Sequence, residues 1–256
     1  MNKSPIGIFD SGIGGVTIFN SIKKLLPKEN IIYLSDNLHS PYGNKSVETI
    51  KKLSQKNTKW LIEKGCKLIV VACNTATTNS ISDLRSNFKL PFVGIEPAIK
   101  PAAIKTVTGK IGVLATKGTL SSNLFTSTST YHASNIEIIE ENGDGLVELI
   151  EAGIFEGVEI ENILHKHLDF MITKKIDYLV LGCTHYPFLN KLLSKILPSS
   201  VKIIDSGEAV AKQTKTLLIN NKIENKSNQG KYSFYYNGDS ASLNKVLNHK
   251  FEIKRI

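Results

Sequence analysis

Short runs of isoleucine, valine and leucine alternate along the chain with longer stretches in which apolar residues recur at helical spacing. Helical spacing covers Val47–Glu63, Ile160–Thr173 and Leu189–Leu197. The alternation predicts an α/β fold in which mostly parallel sheets are flanked by helices. The predicted strands are Ile6–Phe9, Ile31–Leu34, Leu68–Ala72, Phe92–Gly94, Ile111–Ala115, Ile136–Ile139, Tyr178–Leu181, Val201–Ile204 and Lys231–Tyr236.

Two of the predicted strands end in the same pattern. Residues 68–75 (LIVVACNT) and 178–185 (YLVLGCTH) each contain a buried strand, a small residue, a cysteine and polar residues that open a helix. Ligands of parallel α/β sheets bind at the carboxyl ends of the strands. Cys73 and Cys183 are therefore expected at ligand-binding positions. The simplest interpretation is two similar α/β lobes, each of which offers one thiol to a shared cleft.

Composition excludes several classes of protein. The chain of 256 residues is 41% hydrophobic and 21% charged, which is ordinary for a globular protein. It contains no apolar run of the roughly 18 residues that cross a bilayer, and its first residues do not resemble a secretory signal. We therefore expect a cytoplasmic protein that does not bind membranes.

The net charge of +9 raises the question of nucleic-acid binding. The excess is scattered lysine, much of it beside asparagine and isoleucine, and it is not gathered in one patch. Nucleic acid is therefore not expected as the main partner. A positive surface would still help to attract an anionic substrate.

The three cysteines differ in their settings. Cys66 follows Gly65 at a predicted helix end, which indicates a structural thiol. Cys73 and Cys183 precede predicted helix starts, where free N–H groups favour a carboxylate and lower the pKa of a thiol. Burial as an inert core residue is the alternative for each thiol, but two thiols in the same setting favour chemistry. The cysteines and histidines lack the spacing of a metal site, so no metal is expected.

Two further segments suit ligand contact. Residues 10–15 (DSGIGG) form a glycine-rich turn after the first strand. Such a turn can hold a dinucleotide pyrophosphate, or it can allow tight packing between a strand and a helix. Its spacing lacks the full dinucleotide fingerprint. Residues 39–43 (HSPYG) form a polar loop that is suited to a small ligand.

Two thiols at mirrored strand ends suit the inversion of a carbon centre. One group removes a proton from one face of the carbon, and the other group delivers a proton to the opposite face. One cysteine must therefore be a thiolate while the other is a thiol. Helix N-termini would stabilise the substrate carboxylate and the charge that develops at the α-carbon. The pattern predicts inversion of a small acidic amino acid.

The motifs resemble those of the glutamate racemases, and the resemblance runs over nearly the whole chain. The matching segments are residues 10–15 (DSGIGG), 41–43 (PYG), 72–76 (ACNTA) and 182–187 (GCTHYP). The resemblance implies a cofactor-independent enzyme that interconverts L- and D-glutamate and supplies D-glutamate for peptidoglycan. It also implies two pseudo-symmetric lobes with the site in the cleft between them. The lobes would comprise residues 1–95 plus 208–256, and residues 96–207.

The resemblance assigns roles at the matching positions. Cys73 and Cys183 would be the two catalytic acid/base residues, with Asp10 assisting the first thiol and His185 the second. Glu151 would support His185. The residues expected to contact the substrate are Asp10, Ser11, Pro41, Tyr42, Gly43, Asn74, Thr75, Thr116, Thr119, Thr184 and His185.

The chain departs from the family pattern in two places. Gly143-Asp144-Gly145 stands where many members have Cys-Pro, and Phe125 stands where many have tyrosine. An aspartate or hydantoin racemase, a two-lobed binding protein and a dinucleotide-dependent oxidoreductase remain alternatives. The resemblance also allows a homodimer.

Overall fold

The strands form two separate sheets in a computed structural model of the chain, which describes residues 2–133 and 135–256. The first sheet has the strand order β10-β9-β2-β1-β3-β4. Every neighbouring pair in it is parallel. Its strands are β1 (Ile6–Asp10), β2 (Ile31–Ser35), β3 (Leu68–Val71), β4 (Phe92–Gly94), β9 (Tyr232–Tyr236) and β10 (Ile253–Arg255).

The second sheet has four parallel strands in the order β6-β5-β7-β8. They are β5 (Lys110–Ala115), β6 (Glu137–Asn142), β7 (Tyr178–Gly182) and β8 (Lys202–Ile204). Both sheets need crossover connections because all their neighbouring strands are parallel, and helices supply most of these connections.

The helices occupy most of the chain between the strands. Short 3₁₀ turns cover Asn37–His39, Tyr42–Asn44 and Tyr186–Leu189. Within the described residues, no helix has the length and apolar character needed to span a membrane. The α-helices are α1 (Val16–Leu25), α2 (Val47–Glu63), α3 (Asn74–Asn87), α4 (Ile99–Lys105), α5 (Lys117–Leu120), α6 (Asn123–His132), α7 (Leu146–Glu151), α8 (Val158–Thr173), α9 (Asn190–Ile196), α10 (Gly207–Asn220) and α11 (Ala241–Val246).

The predicted α/β fold is confirmed, with wholly parallel sheets. The predicted strands are all present with ends displaced by a few residues, and the bounds of Phe92–Gly94 and Val47–Glu63 match the prediction. β10 has no counterpart among the predicted strands, because it is a three-residue strand that is largely exposed and lacks a buried apolar run. The lobe boundaries 1–95 plus 208–256 and 96–207 stay a prediction.

The two sheets repeat one topology. Four strands of the first sheet are ordered β2-β1-β3-β4, and the second sheet is ordered β6-β5-β7-β8. β3 therefore corresponds to β7, and the segments that carry Cys73 and Cys183 follow equivalent strands. In this arrangement the strand order reverses beside the first strand of each unit, where α/β proteins bind ligands. The topology confirms the internal repeat predicted from the two cysteine segments.

The sheets share one apolar core. A single cluster of buried side chains includes Ile8 and Val70 from the first sheet and Leu114 and Leu181 from the second. The chain crosses to the second sheet after β4 and returns through α10, which packs on α1. This shared core brings the carboxyl ends of β1, β3, β5 and β7 to one place, and the pocket lies there.

Candidate active site

A small pocket lies between the two sheets and is lined by residues from both. It brings Cys73 and Cys183 together, as the shared-cleft interpretation requires. Asp10, Thr119 and Glu151 lie behind the lining, and each bonds to a residue that forms it. The lining residues are Ser11, Pro41, Tyr42, Gly43, Cys73, Asn74, Thr75, Thr116, Val147, Cys183, Thr184 and His185.

Cys73 is the N-cap residue of α3 and is 6% exposed. Its Sγ accepts a hydrogen bond from the N–H of Ala76 (3.4 Å) and donates to the Ser11 hydroxyl (3.6 Å). Burial, and next the negative charge of Asp10, raise the pKa of this thiol to about 12. The expectation of a lowered pKa is therefore wrong for Cys73, because burial and Asp10 outweigh the helix N-terminus.

Cys183 follows β7 and is 8% exposed. An α-helix does not begin directly after it: Thr184 and His185 form a turn that leads into the 3₁₀ segment Tyr186–Leu189. The Sγ atom of Cys183 lies 3.6 Å from His185 Nδ1. The settings of the two cysteines therefore differ more than their sequences suggest.

His185 and Glu151 form a buried pair behind Cys183. His185 Nε2 donates to Glu151 Oε1 over 2.5 Å, and the same oxygen accepts the N–H of Ile13 (2.8 Å). Burial disfavours the charged imidazole, but the hydrogen bonds to Cys183 and Glu151 prevail and raise the pKa of His185 well above its ordinary value. The pair therefore places a cation next to Cys183.

Asp10 ends β1 and is fully buried. Its carboxylate accepts hydrogen bonds from the N–H of Gly12 (2.7 Å) and the hydroxyl of Thr184 (2.9 Å), so it ties the first sheet to the Cys183 turn. Burial raises the pKa of Asp10 to about 6, although the nearby His185 opposes this shift. Asp10 is thus a negative group that ends the strand next to β3, and its charge acts on the thiol of Cys73.

The glycines of the turn at residues 10–15 admit side chains from the second sheet. A Cβ atom on Gly12 would lie 1.7 Å from Glu151 Oε1, and one on Gly14 would lie 2.5 Å from His185 Nδ1. The space that a dinucleotide pyrophosphate would need is therefore occupied by these two side chains. The turn is glycine-rich because Glu151 and His185 approach its backbone.

Asn74 has the strongest sign of a ligand contact. It is 3% exposed, and neither polar atom of its amide has a hydrogen-bond partner among the described residues. A buried amide without a partner costs free energy unless a ligand or water satisfies it. Asn74 also opens α3, where the first N–H groups of the helix favour an anion.

The predicted threonines form a cluster on another wall. Thr75 Oγ1 lies 2.7 Å from Thr116 Oγ1 and 3.2 Å from Thr119 Oγ1, and Thr116 and Thr119 are also 3.2 Å apart. Thr75 follows β3 and Thr116 follows β5, so the cluster joins the two sheets. Thr119 has no place in the lining and contributes through Thr75 and Thr116.

Tyr42 lines the pocket, and its hydroxyl bonds to residues that are not part of the lining. The hydroxyl donates to the buried Asp36 carboxylate and accepts from Asn57 Nδ2 (3.2 Å). Gly43 packs against Thr116, since a Cβ atom on it would lie 2.9 Å from the Thr116 Cβ. The loop predicted to grip a ligand therefore forms one wall, and Asp36 holds it in place.

Val147 is a lining residue that the sequence patterns do not indicate. It lies on α7 four positions before Glu151, so both side chains share one face of the helix. The same helical spacing would have identified Val147 once Glu151 was assigned to the site. Among the described residues, no group of three or more His, Cys, Asp or Glu side chains is arranged to hold a metal ion.

Known proteins resemble this chain over nearly its full length. The family model described as Asp/Glu/Hydantoin racemase matches residues 6–214. A glutamate racemase of Stutzerimonas stutzeri is 40% identical over 245 residues, which are 95% of this chain and 92% of the relative.

Solved structures agree with this result. A glutamate racemase isoform of Bacillus anthracis superimposes with a TM-score of 0.89 at 30% identity, over 100% of this chain and 98% of the relative. The Escherichia coli glutamate racemase in complex with L-glutamate and the activator UDP-MurNAc-ala superimposes with a TM-score of 0.85 at 34% identity, over 98% and 97% of the two chains.

The fold and the pocket together define a two-lobed α/β protein with one thiol from each sheet in a shared site. The chain belongs to the Asp/Glu/hydantoin racemase family. Its relatives named above are glutamate racemases.

Proposed function

We propose that this chain interconverts L- and D-glutamate without a cofactor, with Cys73 and Cys183 as the two acid/base groups. The observation that carries the proposal is the position of the thiols. They follow equivalent strands of two sheets with the same topology, and they line one pocket. A binding protein has no need of two thiols placed in this way.

The reaction consists of two proton transfers. One cysteine thiolate removes the α-proton, so the C–H bond breaks, an S–H bond forms and the electron pair remains on the substrate. The other cysteine, as a thiol, donates its proton to the opposite face of the α-carbon, so its S–H bond breaks and a new C–H bond forms. The two cysteines have then exchanged protonation states, and the reverse reaction uses them in the opposite order.

Neighbouring groups assist the two thiols in different ways. Asp10 lies on the side of Cys73, and its negative charge favours the neutral thiol. His185, held by Glu151, lies 3.6 Å from Cys183 and can exchange a proton with it. Each thiol therefore has its own partner to adjust its proton affinity during turnover.

The substrate carboxylates are assigned to neutral donors. The lining set contains no lysine or arginine in the part of the chain that the structure describes. The amide of Asn74, the first N–H groups of α3 and the hydroxyls of Ser11 and Thr75 are available in that set. Donors of this kind also stabilise the negative charge that develops at the substrate during proton removal.

The proposal extends to the biological role that the resemblance implies. D-glutamate made by this enzyme would supply peptidoglycan synthesis in the cytoplasm. Pairing into a homodimer stays a prediction.

Nuclear magnetic resonance tests the reaction directly. Purified protein is incubated with L-glutamate in deuterated water without an added cofactor, and the α-proton and the D-isomer are followed. Loss of the α-proton together with formation of D-glutamate is the expected result.

The same experiment separates the alternatives when aspartate is run in parallel. Exchange with aspartate and none with glutamate would keep the two-thiol chemistry and change the substrate. Binding of glutamate without exchange at its α-carbon would favour a binding protein and contradict the proposed reaction.

A further inference from the structure

The C-terminal helix α11 contacts the end of α7 across the two sheets. The hydroxyl of Ser242 donates to the backbone carbonyl of Glu151 (2.5 Å), and Lys245 Nζ donates to the carbonyl of Gly153 (2.6 Å). The ammonium group of Lys245 also lies 5.1 Å from the ring centre of Phe155. Carbonyls at the C-terminal end of a helix lack partners within the helix and attract cations, so both contacts are favourable.

Glu151 is the last residue of α7 and is held at both its backbone and its side chain. Its carboxylate accepts from the N–H of Ile13 and from His185 Nε2. Ser242 lies on α11 between β9 and β10, and Ile13 lies in the turn after β1, so both connect strands of the first sheet, whereas His185 follows a strand of the second. Two of the three groups that locate Glu151 therefore reach it from the opposite lobe.

The chain turns sharply directly after Glu151. Gly153 adopts a left-handed conformation with φ of +77°, and a Cβ atom on it would lie 3.4 Å from Lys245 Cδ. α7 itself is a short helix of 6 residues, so its own hydrogen bonds hold its end weakly. The position of the Glu151 carboxylate thus depends on contacts from outside α7.

We propose that Ser242 and Lys245 are positioning residues for the racemase reaction, which hold Glu151 against His185 and thereby set the proton transfer at Cys183. The inference rests on the proposed function of the chain. Helix α11 lies with the sheet that carries Cys73, and in this proposal it controls His185, the acid/base partner of Cys183.

Kinetic isotope effects test the proposal. A residue that positions only the partner of Cys183 should change the isotope effect for one enantiomer of glutamate and not for the other. The variants are Ser242→Ala, Lys245→Met and the pair together, with Lys250→Met as a control that removes an exposed lysine just beyond α11. Racemisation is measured with L- and D-glutamate that carry deuterium at the α-carbon. The paired variant is expected to lower kcat/KM about tenfold, since small displacements of reacting groups have effects of this size or larger.

The deuterium isotope effect on kcat/KM should rise only for the enantiomer whose α-proton Cys183 removes. General damage to the fold would change the isotope effects of both enantiomers alike. The Lys250→Met control should match the wild type, and Lys245→Arg should retain most of the rate because it keeps a donor and a cation. Because the equilibrium constant of a racemisation is 1, kcat/KM itself must fall equally for L- and D-glutamate. An equal rise of the isotope effect for both enantiomers, or no change of it in either, would overturn the proposal.

A second measurement uses Glu151→Gln as the background. If Ser242 and Lys245 act through Glu151, adding the paired substitution to Glu151→Gln should cost less than about twofold, because coupled residues are not additive. Full multiplication of the two losses would overturn the proposal. If the paired variant does not fold, the single variants complete the same cycle.

The wild-type measurement separates this inference from the proposed function. A wild type that racemises glutamate, with variants that match it, would overturn the positioning role alone. A wild type that does not racemise glutamate would overturn the proposed function and this inference with it.

Discussion

Cys73 and Cys183 follow equivalent strands, yet their surroundings carry opposite charge. Cys73 caps α3 and donates a hydrogen bond to the Ser11 hydroxyl, and the negative charge of Asp10 raises its pKa. Cys183 lies beside His185, whose other ring nitrogen is bound to Glu151. The repeated topology therefore makes the two thiols symmetric in position, and the side chains around them place a carboxylate near Cys73 and an imidazole next to Cys183.

This difference predicts the protonation states in the pocket before substrate binds. With its pKa raised to about 12, Cys73 is a neutral thiol at neutral pH. The imidazole beside Cys183 has a raised pKa and provides a positive charge there. In our proposed reaction one thiol must be protonated while the other is not, and the charges on the two sides favour such a distribution.

The largest expected effect comes from removing either thiol. Cys73→Ser and Cys183→Ser should each lower racemisation of glutamate about a thousandfold or more, because a serine hydroxyl is far too weak an acid for the proton transfer. Both losses should be similar, since each inversion uses both groups. The rate is measured by circular dichroism or by coupled detection of D-glutamate.

Cys66→Ser is the matched control for both substitutions. Cys66 is buried and lies against the position of Gly7, away from the pocket. This variant should keep the turnover number, even if its stability falls. Near wild-type turnover in Cys73→Ser or Cys183→Ser would contradict the two-thiol reaction.

Gly12→Ala should affect the Cys183 side alone. The new Cβ would lie 1.7 Å from Glu151 Oε1, so the Glu151 carboxylate must move away from the Ile13 N–H and His185. Because the move leaves the Ile13 N–H and the buried His185 without their partner, the free energy of unfolding should fall by about 1–3 kcal/mol, while kcat falls about a hundredfold. Chemical unfolding and steady-state kinetics on one preparation measure both quantities. A large loss of stability with unchanged kcat would contradict this account of the turn.

Asp10→Asn should stabilise the folded protein at pH 7.5 and not at pH 4. Burial raises the pKa of Asp10 from 3.8 to about 6, so the folded protein binds more protons than the unfolded chain between these values. The stability of the wild type therefore falls as the pH rises through this range, and asparagine removes that dependence. The expected gain at pH 7.5 is about 3 kcal/mol, since this pH lies above both pKa values and one pKa unit corresponds to about 1.4 kcal/mol.

Urea unfolding of the wild type and of Asp10→Asn at the two pH values measures this gain. Comparing the two proteins at the same pH cancels the contributions of other titrating groups. A variant that is less stable than the wild type at pH 7.5 would show that the buried carboxylate stabilises the fold.

The smallest effect is expected from a change in the cluster of Thr75, Thr116 and Thr119. Thr116→Val removes hydrogen bonds to Thr75 and Thr119 without a change in shape, at a cost of about 1 kcal/mol. These threonines do not contact either thiol's sulfur in the proposed proton transfer. KM should therefore rise a few-fold, and kcat should stay unchanged. Thr130→Val on the exposed surface of α6 is the matched control and should change neither constant. A fall in kcat with an unchanged KM would place Thr116 among the groups that act in proton transfer.

Local sequence patterns predict the helices and strands of this fold well, and they predict the pKa values of its buried groups poorly. The bounds of α2 and β4 follow from the sequence, because apolar spacing and short buried runs are local signals. The pKa of Cys73 does not follow from the sequence. The sequence shows the helix start, which favours a lower pKa, but it does not show the burial and the nearby Asp10, which raise the pKa. The position of Glu151 depends in the same way on Ile13 and Ser242, which are far from it in the chain.

The sequence by itself determined the class of fold, the two equivalent cysteine segments and the family, because these are carried by periodicity and by short motifs. The tertiary structure decided which groups surround each thiol. Asp10 meets Thr184, and Gly12 and Gly14 receive Glu151 and His185, only after the two sheets share one core. The strength of charge interactions depends on distance and burial, and neither is encoded in the local order of residues along the chain.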